Sequence, residues 1–159
     1  MVEIYTDGAA RGNPGRGGYG VVLLASGHRK ELSKGFRHTT NNRMELLAVI
    51  AGLEALKMKD LSITIYSDSK YVVEAVEKGW VFQWDKKSDF AKKKNKDLWK
   101  QFLKLYEYQN VSFVWVKGHS VNKENNRCDQ LATAAADGDV LAVDVVYEQE
   151  SNSKNGLFY

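Results

Sequence analysis

Four carboxylates and one histidine fall where chain segments begin or end, which is where distant acids can meet across a fold. Asp7 ends a strand read over residues 2–7, and Asp68 follows a strand read over 61–66. Glu45 lies in the first turn of a helix opened by the capping run Thr39-Thr40-Asn41-Asn42. Asp129 lies one turn into a helix read over 124–136, and His119 sits in the loop before it. Carboxylates drawn together repel and raise one another's pKa unless a cation neutralises them. All-oxygen ligation suits Mg²⁺ or Mn²⁺ rather than zinc. Two such ions about 4 Å apart can hold a phosphodiester, activate a water and stabilise the departing oxygen.

Each residue also has a purely structural reading. Asp7-Gly8 reads as turn chemistry, Glu45 as the acid of a capping box opened by Asn42, and Asp68 as a helix N-cap. Asp129 reads as a solvated helix acid and His119 as an exposed loop residue. Spacing alone leaves both readings open.

The elements that must position these groups follow from periodicity. Residues 2–7 alternate, with Val2, Ile4 and Thr6 on one side. Residues 7–18 hold five glycines and the only proline, and read as a loop. Strands are read over 19–25 and 28–37, joined by a turn at Ser26-Gly27. The first helix carries Leu46, Val49, Ile50, Leu53 and Leu56 on one stripe. A strand over 61–66, a helix over 70–78, a lysine- and aromatic-rich excursion over 80–96, a helix over 97–108, a strand over 111–116 and the helix over 124–136 complete the order. Strands joined by turns form an antiparallel meander; strands reached through helices run parallel to the first. The expectation is an α/β fold: a five-stranded mixed sheet, antiparallel 1-2-3 and parallel 1-4-5, with helices on both faces. In its parallel part the carboxyl ends of the strands lie together, so Asp7 and Asp68 become neighbours.

Composition narrows the class. The chain has 159 residues, 43% hydrophobic and 27% charged, as expected of a globular domain rather than a disordered one. One cysteine excludes a disulfide framework and a cysteine zinc site. No apolar run is long enough for a membrane span and no signal peptide is recognisable, so the expected compartment is the cytoplasm. The net charge of +3 hides an uneven distribution. Residues 80–104 carry eight lysines and three aspartates, whereas residues 130–159 carry five acids and one lysine. A basic arm of this kind favours a polyanionic partner; the alternative is a solvated lysine face.

The motifs carry a family resemblance. Thr6-Asp7-Gly8-Ala9 with Gly12-Asn13-Pro14-Gly15 resembles the opening motif of type 1 ribonuclease H. Thr39-Thr40-Asn41-Asn42-Arg43-Met44-Glu45-Leu46, Tyr66-Ser67-Asp68-Ser69-Lys70-Tyr71-Val72, Trp115-Val116-Lys117-Gly118-His119 and Asn126-Arg127-Cys128-Asp129-Gln130-Leu131-Ala132 resemble the motifs that follow. The match runs in order from residue 2 to about 136 and looks like the compact, single-domain bacterial form. The resemblance implies the ribonuclease H fold and endonucleolytic hydrolysis of the RNA strand of RNA–DNA hybrids, leaving 5′-phosphate and 3′-hydroxyl ends. It implies two Mg²⁺ ions, with Mn²⁺ a substitute, held by Asp7, Glu45, Asp68 and Asp129, and His119 assisting proton transfer or product release. Asn13, Asn41 and Asn42 resemble minor-groove contacts to the hybrid. Trp80 and Trp84 resemble the grip on the DNA strand, with packing as their alternative, and Thr40 and Asn95 resemble parts of a phosphate pocket. His38 stands where that pocket often has an arginine, leaving Arg37 or Arg43 to compensate. Lys70 stands where a glutamine is common. The implied partner is a hybrid duplex, with no membrane, acted on by a monomer.

Residues 1–137 are thus expected to form the catalytic domain and 138–159 an acidic C-terminal tail, partly docked or disordered. Two rivals remain: a non-catalytic duplex-binding module, and a two-metal 3′–5′ exonuclease. The first is expected to lack one or more of the four carboxylates, and the second usually carries Asp-x-Glu where this chain has Asp7-Gly8-Ala9.

Overall fold

The computed structural model describes residues 1–86, 93–118 and 121–156, with side chains as far as residue 153. Strands β1 (Val2–Ala10), β2 (Gly15–Ala25) and β3 (His28–Thr39) form the expected antiparallel meander. Its second turn is Ser26-Gly27, both at positive φ (48° and 78°). Two such residues match the right-handed twist of the strands they join. Strand β4 (Ser62–Ser67) runs parallel to β1, and β5 (Asn110–Trp115) runs parallel to β4. A sixth strand, β6 (Leu141–Ala142), pairs parallel to β3 at Gly35 and Phe36, so the order is β5-β4-β1-β2-β3-β6. The expected count of five missed β6 because two residues carry no readable alternation.

Among the described residues the helices are α1 (Asn41–Glu54), α2 (Lys70–Glu77), α3 (Trp80–Lys86), α4 (Lys96–Tyr106), α5 (Lys123–Asp137) and α6 (Val145–Gly156). Helix α3 lies inside the segment that showed no clean periodicity; seven residues are two turns, too few for a stripe to stand out. Among the described residues no helix is long and apolar enough to cross a membrane.

Helices cover both faces of the sheet, and the glycines of β2 show how. Successive strand residues point to opposite faces. A Cβ on Gly18 would lie 2.4 Å from the Ala132 carbonyl oxygen of α5, and one on Gly17 would lie 3.0 Å from Met44 of α1. Much of the glycine run read as a loop therefore belongs to β1 and β2, where missing side chains let both helices approach the backbone. The α1 face holds the main core. Ile4, Val21, Leu46, Ile50, Ile65, Trp99 and Phe102 are all fully buried there. Each such side chain contributes about 1.5–3 kcal/mol by leaving water.

Long-range charge pairs tie the C-terminal segment to the sheet and to α1. Asp144 is buried and accepts hydrogen bonds from Thr39 Oγ1 (2.8 Å), Arg43 Nε (2.7 Å) and Arg43 Nη2 (3.0 Å). The remaining Arg43 donors reach Asp97 at 2.9 and 2.8 Å and Asn95 Oδ1 at 3.3 Å. Burial alone would raise the Asp97 carboxyl, but the Arg43 fork more than offsets this and holds it below its usual range. Arg37 forms a fork on Glu148 of α6. Both arginines that could replace the missing one near His38 are thus engaged by carboxylates.

Candidate active site

The register of β1 against β4 delivers the first two acids. Thr6 pairs with Ser67, the last parallel pair, so Asp7, inside β1, and Asp68, just past β4, follow it side by side; β1 runs on to Ala10 rather than ending at Asp7. Thr40 caps α1 by accepting from Arg43 N at 3.3 Å, which starts the helix so that Glu45 lies over β1. The approach is close: a Cβ on Gly8 would sit 2.4 Å from the Glu45 backbone nitrogen. Gly8 N donates to both Asp7 Oδ1 (2.9 Å) and Glu45 Oε1 (2.7 Å). One amide thus bridges two carboxylates across 37 residues of sequence.

Asp7, Glu45 and Asp68 each offer an oxygen within 4.8 Å of the others. Asp129 lines the same cavity, of about 250 Å³, but is not part of that trio. Asn41, Asn125 and Asn126 line it too. Asn125 was not singled out by sequence reasoning. The available signal was its spacing: four residues before Asp129 places it on the same face of α5.

Burial raises the Asp7 carboxyl to about 7, offset in part by a hydrogen bond shared with Glu45 and reinforced by the charges of Asp68 and Asp129. Burial and the Asp7 charge also push Glu45 well above its usual range. Two buried oxygens here have no hydrogen-bond partner, Glu45 Oε2 and Asn125 Oδ1, and among the described residues they are the only such side-chain atoms. Buried acceptors without donors cost free energy unless something else binds them. Acid oxygens, mutual repulsion and orphaned acceptors together fit a hard divalent cation.

Asp7 binds its proton more tightly folded than unfolded, so in metal-free protein its contribution to stability is lost as pH rises from about 4 through 7. A divalent cation should therefore raise the melting temperature far more at pH 8 than at pH 5. Thermal melts with and without Mg²⁺ test this; equal shifts at both pH values would contradict the cluster as a cation site.

The remaining expected site residues divide. Asn13 Oδ1 accepts from Asn41 N (2.9 Å), and Asn41 Oδ1 accepts from Ala10 N, so the two amides lock the β1–β2 connection to the start of α1. Asn42 and Thr40 line a separate cavity with Asn13 and Asn95. Asn95 donates to Tyr71 Oη at 3.0 Å. Trp80 is 40% exposed, with the Lys78 ammonium 5.2 Å above its ring. Trp84 packs edge-on against Trp99 and carries Lys93 over its ring. His119 lies outside the described residues, as do Lys87 and Lys92 of the basic arm. Lys70 lies 5.1 Å above the ring of Trp115, whose Nε1 donates to the Asp68 carbonyl.

This sheet order, with Asp7 of β1, Glu45 of α1 and Asp68 just past β4 brought together, defines an α/β domain with an acid cluster that could hold an oxygen-ligated metal ion. Comparison with known proteins makes the class specific. The RNase H family model matches residues 1–137. A ribonuclease H from Desulforamulus reducens is 59% identical over 148 residues, covering 91% of this chain and 92% of the relative. One from Syntrophus aciditrophicus is 55% identical over 151 residues, covering 92% and 87%. The solved structure of LC9-RNase H1, a type 1 RNase H, has a TM-score of 0.76 at 28% identity, covering 87% of this chain and 73% of its own. LC11-RNase H1, solved in complex with an RNA/DNA hybrid, has a TM-score of 0.66 at 30% identity, covering 86% and 97%. The chain belongs to the ribonuclease H family, and its fold is that of the type 1 enzymes.

Proposed function

We propose that the protein is an endonuclease that hydrolyses the RNA strand of RNA–DNA hybrids. The observation that carries this reading is the carboxylate trio with its orphaned Glu45 oxygen, in a chain whose relative LC11-RNase H1 binds such a hybrid. Residues 1–137 are read as the catalytic domain, acting as a cytoplasmic monomer.

Asp7, Glu45, Asp68 and Asp129 would hold two Mg²⁺ ions, or Mn²⁺ in their stead. Such ions neutralise the scissile phosphate and lower the pKa of the attacking water. The chain's own groups do the rest. Gly8 N fixes the rotamers of Asp7 and Glu45 by donating to both. Water attacks phosphorus, the bond to the 3′-oxygen breaks, and that oxygen takes a proton. The products are a 3′-hydroxyl and a 5′-phosphate. His119 is the proposed proton carrier, since an imidazole titrates near the working pH. Asn13, Asn41 and Asn42 are read as minor-groove contacts, since amides can both donate to and accept from the 2′-hydroxyl that marks RNA. Trp80, Trp84 and the lysines of the excursion are read as the grip on the DNA strand, flat faces against sugar and ammonium groups against phosphate.

The test is a hybrid labelled at one RNA end and incubated with Mg²⁺. Internal RNA cuts with intact DNA are expected. End-wise shortening would favour an exonuclease, and binding without cutting a duplex-binding module.

A further inference from the structure

The chemistry above makes no use of the segment after residue 137, yet its residues 138–153 are built into the molecule. The buried Asp144 ties it to Thr39 and Arg43, and through Arg43 to Asp97 and Asn95. The Arg37–Glu148 fork and the Tyr147 ring, 5.4 Å from that of His38, hold α6 against β3. So held, α6 presents Tyr147 and Glu150 as one wall of a cavity of about 410 Å³. The other lining residues are Asn13, Thr40, Asn42, Lys94 and Asn95.

The chemistry of this cavity is specific. Three amides, a hydroxyl and an ammonium can donate hydrogen bonds, which suits the oxygens of a phosphate. Glu150 is the single acid among the lining residues. The cavity also adjoins the carboxylate site: Thr40 and Asn42 line this one, while Asn41 between them lines the other. A polyanion whose scissile linkage meets Asp7 therefore has its backbone within reach of both.

We infer that the C-terminal helix is part of the polynucleotide-binding surface and that Glu150 sets its strength. The phosphate pocket that the family resemblance implies for Thr40 and Asn95 lies in this cavity, with Asn42 and Lys94 beside it, and what α6 adds is the Glu150 carboxylate, which opposes a backbone phosphate held there. The segment thereby weakens binding and favours release. This inference rests on the hybrid reading above.

The test compares Glu150→Lys and Glu150→Gln with Glu107→Lys. Glu107 is exposed beside Ser62 and Asn110, at the amino ends of the parallel strands, so E107K makes the same change in net charge far from the cavity. At low salt E150K should lower KM for a hybrid about fivefold and E150Q about twofold, with kcat little changed, and the gain should fade as salt screens it. In the same buffer E107K should shift KM clearly less than E150K, because its charge lies at the opposite end of the parallel strands and Coulomb energy falls with distance. In a series of hybrids with one neutral methylphosphonate each, the E150K gain should vanish at a single linkage. Equal KM shifts for E150K and E107K would overturn the proposal, as would a gain insensitive to every methylphosphonate. Failure of the parent protein to cut any hybrid would instead refute the hydrolase reading. The two failures are therefore distinguishable.

Discussion

Replacing Asp7 by asparagine should lower kcat at least about a thousandfold, a loss of about 4 kcal/mol in transition-state stabilisation. The substitution keeps the shape of the side chain and the acceptor for Gly8 N, but removes the charge that would hold a cation. Hybrid affinity should survive or improve, because one anion is removed from a surface that receives phosphates. Metal-free stability should move the other way from activity. Burial has raised the Asp7 carboxyl to about 7, so its charged form is unfavourable at higher pH. D7N should therefore melt at higher temperature than the parent at pH 8 without metal, while at pH 5 the two should differ little. Turnover within tenfold of the parent would remove Asp7 from the catalytic site. A lower melting temperature at pH 8 would show that Asp7 is a structural acid instead.

The second large effect concerns stability. Truncating Asp144 to alanine should cost about 3–5 kcal/mol, since it leaves the Arg43 guanidinium buried with half its compensation gone. Arg43 and Asp144 side chains are 3% and 5% exposed, so water cannot replace the lost partner. For a protein of this size that corresponds to a fall in melting temperature of about 10–15 °C. The ion pair spans 101 residues, so the loss should also free β6 and α6 from the sheet. Hydrogen exchange should then rise in residues 141–156 more than in α1. Combining Asp144→Leu with Arg43→Met should recover part of the loss, because a whole pair replaced by apolar groups leaves no uncompensated charge on α1. A loss below about 1 kcal/mol for D144A would mean the pair behaves like a surface salt bridge.

Side-chain alternation in β1, the capping run before α1 and the Ser26-Gly27 turn are local, so the meander and the first helix were legible directly. Parallel pairing of β1 with β4 followed from connectivity alone, and it brought Asp7 beside Asp68. The motifs beyond these carried the family. Helix α3 and strand β6 were illegible because each is shorter than the window over which a period can be read. The glycines of β2 look like loop residues in sequence, and only the neighbouring helices reveal why side chains are excluded there.

By itself, then, the sequence determined the kinds of groups available and the order of elements that carries them. It supplied four acids, the amides near them and a basic arm, on an α/β frame. The tertiary structure alone decided which oxygens are buried without partners, how far Asp7 and Glu45 are pushed from their usual pKa, and that Asn125 shares their cavity. It also decided that Arg43 and Arg37 serve the C-terminal segment, and that Glu150 enters a cavity beside Thr40 and Asn95. Desolvation and Coulomb energy depend on distance and burial, not on spacing along the chain. Residues 37 and 101 positions apart in sequence become partners only when the sheet and helices have packed.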